Sequence, residues 1–479
     1  MNFNSFGYIL VFLPVVLIAC YVARRIRVAK GPQICILLAS MIFYAWGKPL
    51  NLAYLLGSIL VNWILARLIA NASPQHRKSY LQAGLVLNIG YLCTFKYVNF
   101  FISNIPYFVH RHIQMPDLGF PLGISFFTLM QIMYLVDCYE QLMTPSSLFD
   151  HATFVSFFPY VISGPISRAK RIVHQFAALN GAEGPSADMI ARAFYLFSLG
   201  LIKKVVLADA FSKAADYGFS NISRLSAVEA WCFATSYGLQ LYFDFSGYSD
   251  MAIAAALLFG IEIPRNFDAP LRAKSIIEYW QRWHISLTAF ITTYIYTPIV
   301  RSFSRVTLAT SAIATLLAMA IAGLWHGPNW TFVIFGIIHG AGLAVNQYWR
   351  KKKMPKFPVA VSWLMTVAVY DTAFIFFRSP DVHTAMQFVS HLFNWHNMFG
   401  LANMRLMNGE TPGTGVMFVV FSVSQLVGVA AAFFGKSSDQ LEHDFKPSLV
   451  TYAVTSACML IALFYLNSNV VKPFVYFAF

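Results

Sequence analysis

Residues 306–356 read VTLATSAIATLLAMAIAGLWHGPNWTFVIFGIIHGAGLAVNQYWRKKKMPK. Two apolar runs, 306–325 and 330–349, flank the break at Gly327-Pro328, and the cations Arg350, Lys351, Lys352, Lys353 and Lys356 follow the second run. A helix needs about 20 mostly apolar residues to cross a bilayer, and both runs have that length. Gly-Pro stops a helix because proline lacks an amide hydrogen and clashes with the preceding turn. The stretch therefore reads as two membrane-spanning helices, with His326 at the break between them. The basic run marks a cytoplasmic face at the lipid headgroups, a simpler account than nuclear targeting or nucleic-acid binding.

The rest of the chain has the same character. Of 479 residues, 58% are hydrophobic and only 11% are charged. A soluble domain carries about 25% charged residues, so most of this surface does not face water. Forty-five Phe, 24 Tyr and 10 Trp suit lipid faces and bilayer interfaces. The net charge of +14 is what basic cytoplasmic loops produce, and nucleic acid is not expected as a partner. Length alone suggests several soluble domains, yet apolar segments run nearly end to end, so 1–479 is expected to form one membrane domain.

Candidate spans are 6–23, 33–47, 50–70, 80–101, 121–138, 190–207, 229–259, 306–325, 330–349, 358–377, 416–434 and 448–467. The segment 33–47 is short, and 229–259 is too long for one simple crossing. Residues 149–165 are apolar but broken by Pro159, Gly164 and Pro165, which suits a bent or re-entrant element covered by protein or a wet cavity. The polar, His-rich segment 382–412, with Pro412, reads as an exposed loop with an interfacial helix. Leu17-Ile18-Ala19-Cys20 imitates a lipoprotein processing site, but no Lys or Arg precedes it in the first ten residues. Arg24, Arg25, Arg27 and Lys30 follow instead, giving an uncleaved first helix with its N-terminus outside. The six cysteines are scattered singly, with no CxxC or Cys/His cluster, so neither a disulfide framework nor a metal site is expected.

Chemistry concentrates in 236–300. Asp244 and Asp250 lie in an aromatic-rich apolar run beside Tyr242 and Tyr248. A carboxylate at mid-bilayer costs about 2.5–3.5 kcal/mol on insertion scales, so it faces an interior or a wet cavity and has partners. One reading is a structural ion pair or hydrogen-bond network with the phenols or a nearby Arg; the other is a functional site. In Glu278-Tyr279-Trp280-Gln281-Arg282-Trp283-His284, Arg282 and His284 sit among aromatics. His284 is either a packed, hydrogen-bonded side chain or a participant in chemistry. His326, between Trp325 and Gly327-Pro328-Asn329, could reach a cavity from its helix break and take a proton from a hydroxyl. Spacing alone equally allows a snorkelling interfacial histidine. His339, in FGIIHGAG, is a weaker candidate. No GxSxG elbow, Walker A, GxGxxG or HExxH occurs.

Five ordered motifs make the chain similar to a known family: PLGISFFTLMQIMYLVDCY (121–139), FFPYVISGPISR (157–168), YFDFSGYSDMAI (242–253), EYWQRWHISLT (278–288) and GLWHGPNWTFVIFGIIHG (323–340). They resemble the bacterial branch of the membrane-bound O-acyltransferases, which includes alginate O-acetylation proteins and teichoic-acid D-alanyl transferases. The resemblance implies an all-α polytopic membrane protein, with about eleven transmembrane helices plus re-entrant or interfacial helices ringed around a central tunnel. The motif-bearing core is about 121–349. His326 would be the essential histidine that activates the acceptor hydroxyl, and His284 the second histidine at the tunnel. Asp244, Tyr242, Arg282, Trp325 and Asn329 would support the site or line the tunnel.

On that resemblance no cofactor stays bound; an acyl thioester, acetyl-CoA or a phosphopantetheinyl carrier, is a substrate. The expected function moves a short acyl group, acetyl foremost, from the cytoplasm for O-acylation of an exported or surface polysaccharide. Implied partners are the bilayer, an extracytoplasmic acyltransferase or glycan acceptor, and a cytoplasmic acyl carrier protein; the implied location is the bacterial inner membrane. The chain departs from alginate-type relatives at Thr292-Thr293-Tyr294, where they carry Arg-Asp, and at Gln281-Arg282-Trp283, where they double the arginine. These departures bear on the donor. Alternatives are D-alanyl transfer from a carrier protein to teichoic acid and, in another class, a transporter or flippase.

Overall fold

A computed structural model describes residues 1–106, 120–181, 183–400, 415–468 and 472–475. Among them the secondary structure is helical, without strands. The first layer is α1 (Gly7–Arg25), α2 (Gly31–Ala45), α3 (Leu50–Asn71) and α4 (Pro74–Ser103). Then come α5 (Ile124–Tyr139), α6 (Leu148–Ser156), α7 (Ala187–Ile202), α8 (Asp209–Ser220) and α9 (Ala227–Leu257). Two short helices, α10 (Ile276–Arg282) and α11 (Ile285–Phe290), lead to the hairpin α12 (Leu308–His326) and α13 (Trp330–Lys351). The chain continues through α14 (Val359–Arg378), α15 (Val382–Leu392), α16 (Gly415–Phe433) and α17 (Leu449–Ser468). Seven helices among the described residues are long and apolar enough to cross a membrane, and three shorter apolar helices join them. The protein is polytopic.

Each expected span contains a helix. Segment 229–259, too long for one simple crossing, forms a single helix, α9, of 31 residues, about 46 Å at 1.5 Å per residue. Residues from Phe243 to Ala252 are buried all round it. An interior helix packs against protein on every side, so bilayer thickness does not limit its length. Ser226 caps its start: the hydroxyl accepts from the Glu229 amide (3.2 Å) and the Glu229 carboxylate from the Ser226 amide (3.1 Å). α7 crosses it where both helices carry glycine. A Cβ on Gly247 would lie 2.6 Å from the Gly200 carbonyl oxygen, so the contact requires the absence of a side chain.

The broken segment after α6 is covered by protein, as irregular backbone at membrane depth must be. Residues 157–167 are buried. The Phe158 amide donates to Ser40 Oγ (3.0 Å), the Ile166 amide to Ser286 Oγ (3.0 Å), and the Gly164 amide to the Tyr160 carbonyl (3.0 Å). Gly123, with φ +71°, fits against this segment; a Cβ there would lie 2.5 Å from the Val161 carbonyl oxygen. In 382–412, α15 buries Ala385, Phe388 and Leu392 on one face, the spacing of an amphipathic helix. Residues 401–412, including Pro412, lie outside the described residues.

The α12–α13 hairpin is the most intimate helix pair. A Cβ on Gly323 would lie 2.2 Å from the Phe332 carbonyl oxygen, and one on Gly336 2.1 Å from that of Met319. Small residues bring the two backbones into direct contact, which is how helices pack tightly in a medium as apolar as their side chains. α14 packs against α13 and also against α9, tying the hairpin to the interior helix.

Candidate active site

The two histidines singled out by sequence come together around one indole. His326 ends α12 and is 4% exposed; His284 separates α10 from α11 and is 0% exposed. The Trp325 ring centroid lies 4.9 Å from that of His326 and 6.4 Å from that of His284. Phe377 (5.3 Å) and Phe335 (5.8 Å) complete the wall around His326, and Phe245 lies 4.7 Å from His284. Trp325 Nε1 donates to the Ser125 carbonyl at 3.3 Å, joining the motif of α5 to that of α12. In an aromatic enclosure of this kind a neutral imidazole is the form that suits proton abstraction.

His284 is held by a residue that sequence reasoning passed over. It adopts a left-handed conformation, φ +43°, which turns the chain between two short helices. Buried Asn266 faces it: Oδ1 lies 3.1 Å from His284 Nδ1, 3.2 Å from the Ser286 amide and 2.8 Å from Ser286 Oγ. The Ser286 amide can only donate, so the atom facing it is oxygen and His284 Nδ1 carries the proton toward it. Nε2 is then the basic nitrogen. The backbone repeats the grip, with the Ile285 amide donating to the Asn266 carbonyl (3.0 Å) and the Asp268 amide to the Arg282 carbonyl (3.0 Å). The available signal was Asn266 between Arg265 and Asp268, a few residues after α9.

The supporting residues divide. Tyr242 belongs to the aromatic shell, its ring 6.0 Å from Phe267 and 6.4 Å from Trp283. Asp244 lies elsewhere, in an ion pair with Lys204 Nζ (2.7 Å; side chains 1% and 2% exposed). Its other oxygen accepts from the Val475 amide at 2.9 Å. The structural alternative raised from sequence holds for its contacts, but the partner is a lysine and not a phenol or arginine. Asp250 pairs likewise with Lys203 (2.7 Å) and Ser438 Oγ (2.7 Å). Arg282 is engaged by Glu278 (2.9 Å) and the Asp268 carbonyl (3.3 Å). Asn329 caps α13, accepting from the Thr331 amide (3.1 Å) and donating to the Pro380 carbonyl (2.7 Å). His339 accepts from Trp280 Nε1 at 3.2 Å, and its ring lies 4.8 Å from that of Phe335.

Two cavities approach this core. One, of about 290 Å³, is lined by Arg171, Arg192, Asp250, Glu262, Arg265 and Asn266 among others, so its wall includes the residue that holds His284. The other, of about 320 Å³, runs along Trp280, Thr288, Thr292, Met319, Gln347 and Arg350. Two further motif residues, Asp137 and Arg168, join Tyr294 in a polar knot: Asp137 Oδ1 accepts from Tyr294 (2.7 Å) and Arg168 (3.2 Å).

Comparison with known proteins identifies the family. The model of the membrane-bound O-acyltransferase family matches residues 74–379, a span that contains all five motifs and both histidines. The chain is 37% identical over 417 residues to the peptidoglycan O-acetyltransferase of Helicobacter pylori, covering 80% of this chain and 78% of that protein. It is 34% identical over 408 residues to the probable alginate O-acetylase of Azotobacter vinelandii, covering 82% and 78%. Similarity to the teichoic acid D-alanyltransferase of Streptococcus thermophilus is 30% over 247 residues, covering 48% and 58%. With its buried histidine pair in a polytopic helical core, the chain belongs to the membrane-bound O-acyltransferase family and is an acyltransferase enzyme.

Proposed function

We propose that the protein moves a short acyl group, acetyl foremost, from a cytoplasmic thioester to a hydroxyl beyond the membrane, for O-acylation of an exported or cell-surface polysaccharide. The observation that carries this reading is the His284–Trp325–His326 cluster, buried at the end of a spanning helix. α12 follows Arg301 and Arg305, and α13 ends at Arg350 and Lys351. By the positive-inside rule those ends face the cytoplasm, which leaves the His326 turn toward the opposite face. The O-acetyltransferase relatives, matched over most of their length, favour acetyl; their acceptors, peptidoglycan and alginate, favour a glycan of the envelope of a bacterium, with the protein in its inner membrane.

In the proposed step the acceptor oxygen bonds to the thioester carbonyl carbon and the C–S bond breaks. His326 takes the hydroxyl proton, which leaves with the thiolate as thiol. A thioester is already activated, so the protein has mainly to position two substrates and move one proton. His284, with Nδ1 bound to Asn266, keeps Nε2 as its basic nitrogen. Tyr242 and Trp325 belong to the aromatic surround of the two histidines, Arg282 and Asn329 hold neighbouring helix ends, and Asp244 braces α9 away from the histidines.

The test follows label from radiolabelled acetyl-CoA with purified protein in liposomes, comparing wild type, His326→Ala and His284→Ala. Transfer by wild type and not by a folded His326→Ala supports the reading; equal activity of the two sinks the role of His326. A wild type inert with acetyl-CoA but active with an aminoacyl carrier protein moves the donor to D-alanyl transfer.

A further inference from the structure

Lys96 lies in the apolar helix α4, where a cation is costly, and it is 9% exposed. A π-helical turn at Cys93–Tyr97 carries it, and such turns inside helices are frequent at functional sites. None of the ion pairs among the described residues includes it. Instead its ammonium donates to the Trp325 carbonyl (2.7 Å), the His326 carbonyl (2.9 Å) and Ser125 Oγ (3.2 Å). An ammonium has three hydrogens, so its donors are fully used.

The two carbonyls belong to the last turn of α12, where helix geometry supplies no partner and the helix dipole concentrates negative charge. Neighbouring Tyr97 extends the grip, donating to the Leu324 carbonyl (2.8 Å) and the Trp325 carbonyl (3.2 Å). A lysine and a tyrosine from α4 therefore hold three consecutive carbonyls that end at His326. A helix end followed by Gly-Pro would otherwise fray. The charge is matched by the carbonyls it binds, which accounts for a buried cation without a carboxylate.

We propose that Lys96 is a positioning residue for acyl transfer: its ammonium clamps the terminal carbonyls of α12 and so fixes the His326 imidazole at the reacting centre. This rests on the role given to His326 above, and the two fail separately. The full chain in liposomes is assayed for thiol release from acetyl-CoA, or from an aminoacyl carrier protein if that is the active donor. Lys96→Met, close in length but without donors, is expected to lose kcat on the order of 100-fold, the cost of a displacement near 1 Å. Its KM for the donor should stay near wild type. Lys96→Arg, which keeps charge and donors, should recover at least about tenfold of that loss.

A folded Lys96→Met with wild-type kcat overturns the proposal, as does a loss expressed in KM alone. If His326→Ala is inactive while Lys96→Met is normal, only the clamp is wrong; if His326→Ala is fully active, the reading beneath it is wrong. Should Lys96→Met not fold, Ser125→Ala removes one acceptor of the clamp. Lowered kcat at unchanged KM then supports the proposal, and unchanged kcat overturns it. Hydrogen exchange across 322–327 needs no donor: faster exchange in the clamp variant is expected, and unchanged exchange refutes it.

Discussion

Consider removal of the Asp244–Lys204 pair, the most deeply buried ion pair near the site. Asp244→Leu alone strands the Lys204 ammonium, leaving Asp209 at 3.4 Å and the Pro473 carbonyl at 3.3 Å as its partners. Lys204→Met alone strands a carboxylate that keeps the Val475 amide. Breaking a buried pair from one side costs about 3–5 kcal/mol, because an unmatched charge stays inside. The double variant removes both charges and puts apolar volume in their place. What it loses is the acceptor for the Val475 amide, about 1–3 kcal/mol, and the cation beside Asp209, so it should be more stable than Lys204→Met, which strands both carboxylates. Thermal unfolding in one detergent orders the three proteins, and acetyl transfer is measured on each. The pair ties α9, the turn after α7 and residues 472–475 together, and Asp244 touches neither histidine. The double variant should therefore transfer acetyl within about threefold of wild type, a barrier change below 1 kcal/mol. A double variant as stable as expected yet inactive would refute this reasoning and return Asp244 to the reaction path.

Three further outcomes follow from the geometry. Asn266→Ala deprives three donors of their acceptor and releases the His284 tautomer, so activity should fall on the order of 100-fold; steady-state kinetics with unchanged activity would remove the residue from the site. Gly336→Ala drives a Cβ to within 2.1 Å of the Met319 carbonyl oxygen, forcing the hairpin apart by about 1 Å at a cost of about 1–3 kcal/mol, and kcat should drop while the protein still inserts. At the surface, the Asp381 carboxyl is held below the usual carboxylate range because it accepts from the Thr384 amide (2.8 Å) and hydroxyl (3.0 Å). A lowered folded-state value means the cap is fully present above the unfolded value, about 3.9, and is lost only as pH falls through the lowered one. Hydrogen exchange of α15, corrected for its intrinsic pH dependence, should be the same at pH 7 and 5 and faster in Asp381→Ala.

How much could be read beforehand differs between fold and site, and the residues show why. The apolar runs became helices because hydrophobicity over about 20 residues is a local property and the bilayer leaves the backbone little alternative. The placing of His326 at a helix end was equally local, written in Gly327-Pro328. Asn329 also carried a local signal: an Asn just before an apolar run is a helix cap, and that is the contact it makes.

What tertiary structure alone decided are the partners. Lys204 meets Asp244 across 40 residues, and Lys96 reaches the His326 carbonyl across 230. A buried charge announces that it needs a partner, but sequence does not say which segment folds against it. Asn266 holds His284 from 18 positions away by a hydrogen bond whose direction only the Ser286 amide fixes. Sequence by itself determined a multi-pass helical membrane protein and set His326 at a helix end, because hydrophobicity and helix breaks act on neighbours along the chain; it pointed to His284 chiefly through resemblance to a family. Tertiary packing decided which side chains orient and neutralise them, because those contacts join segments that only the folded core brings together.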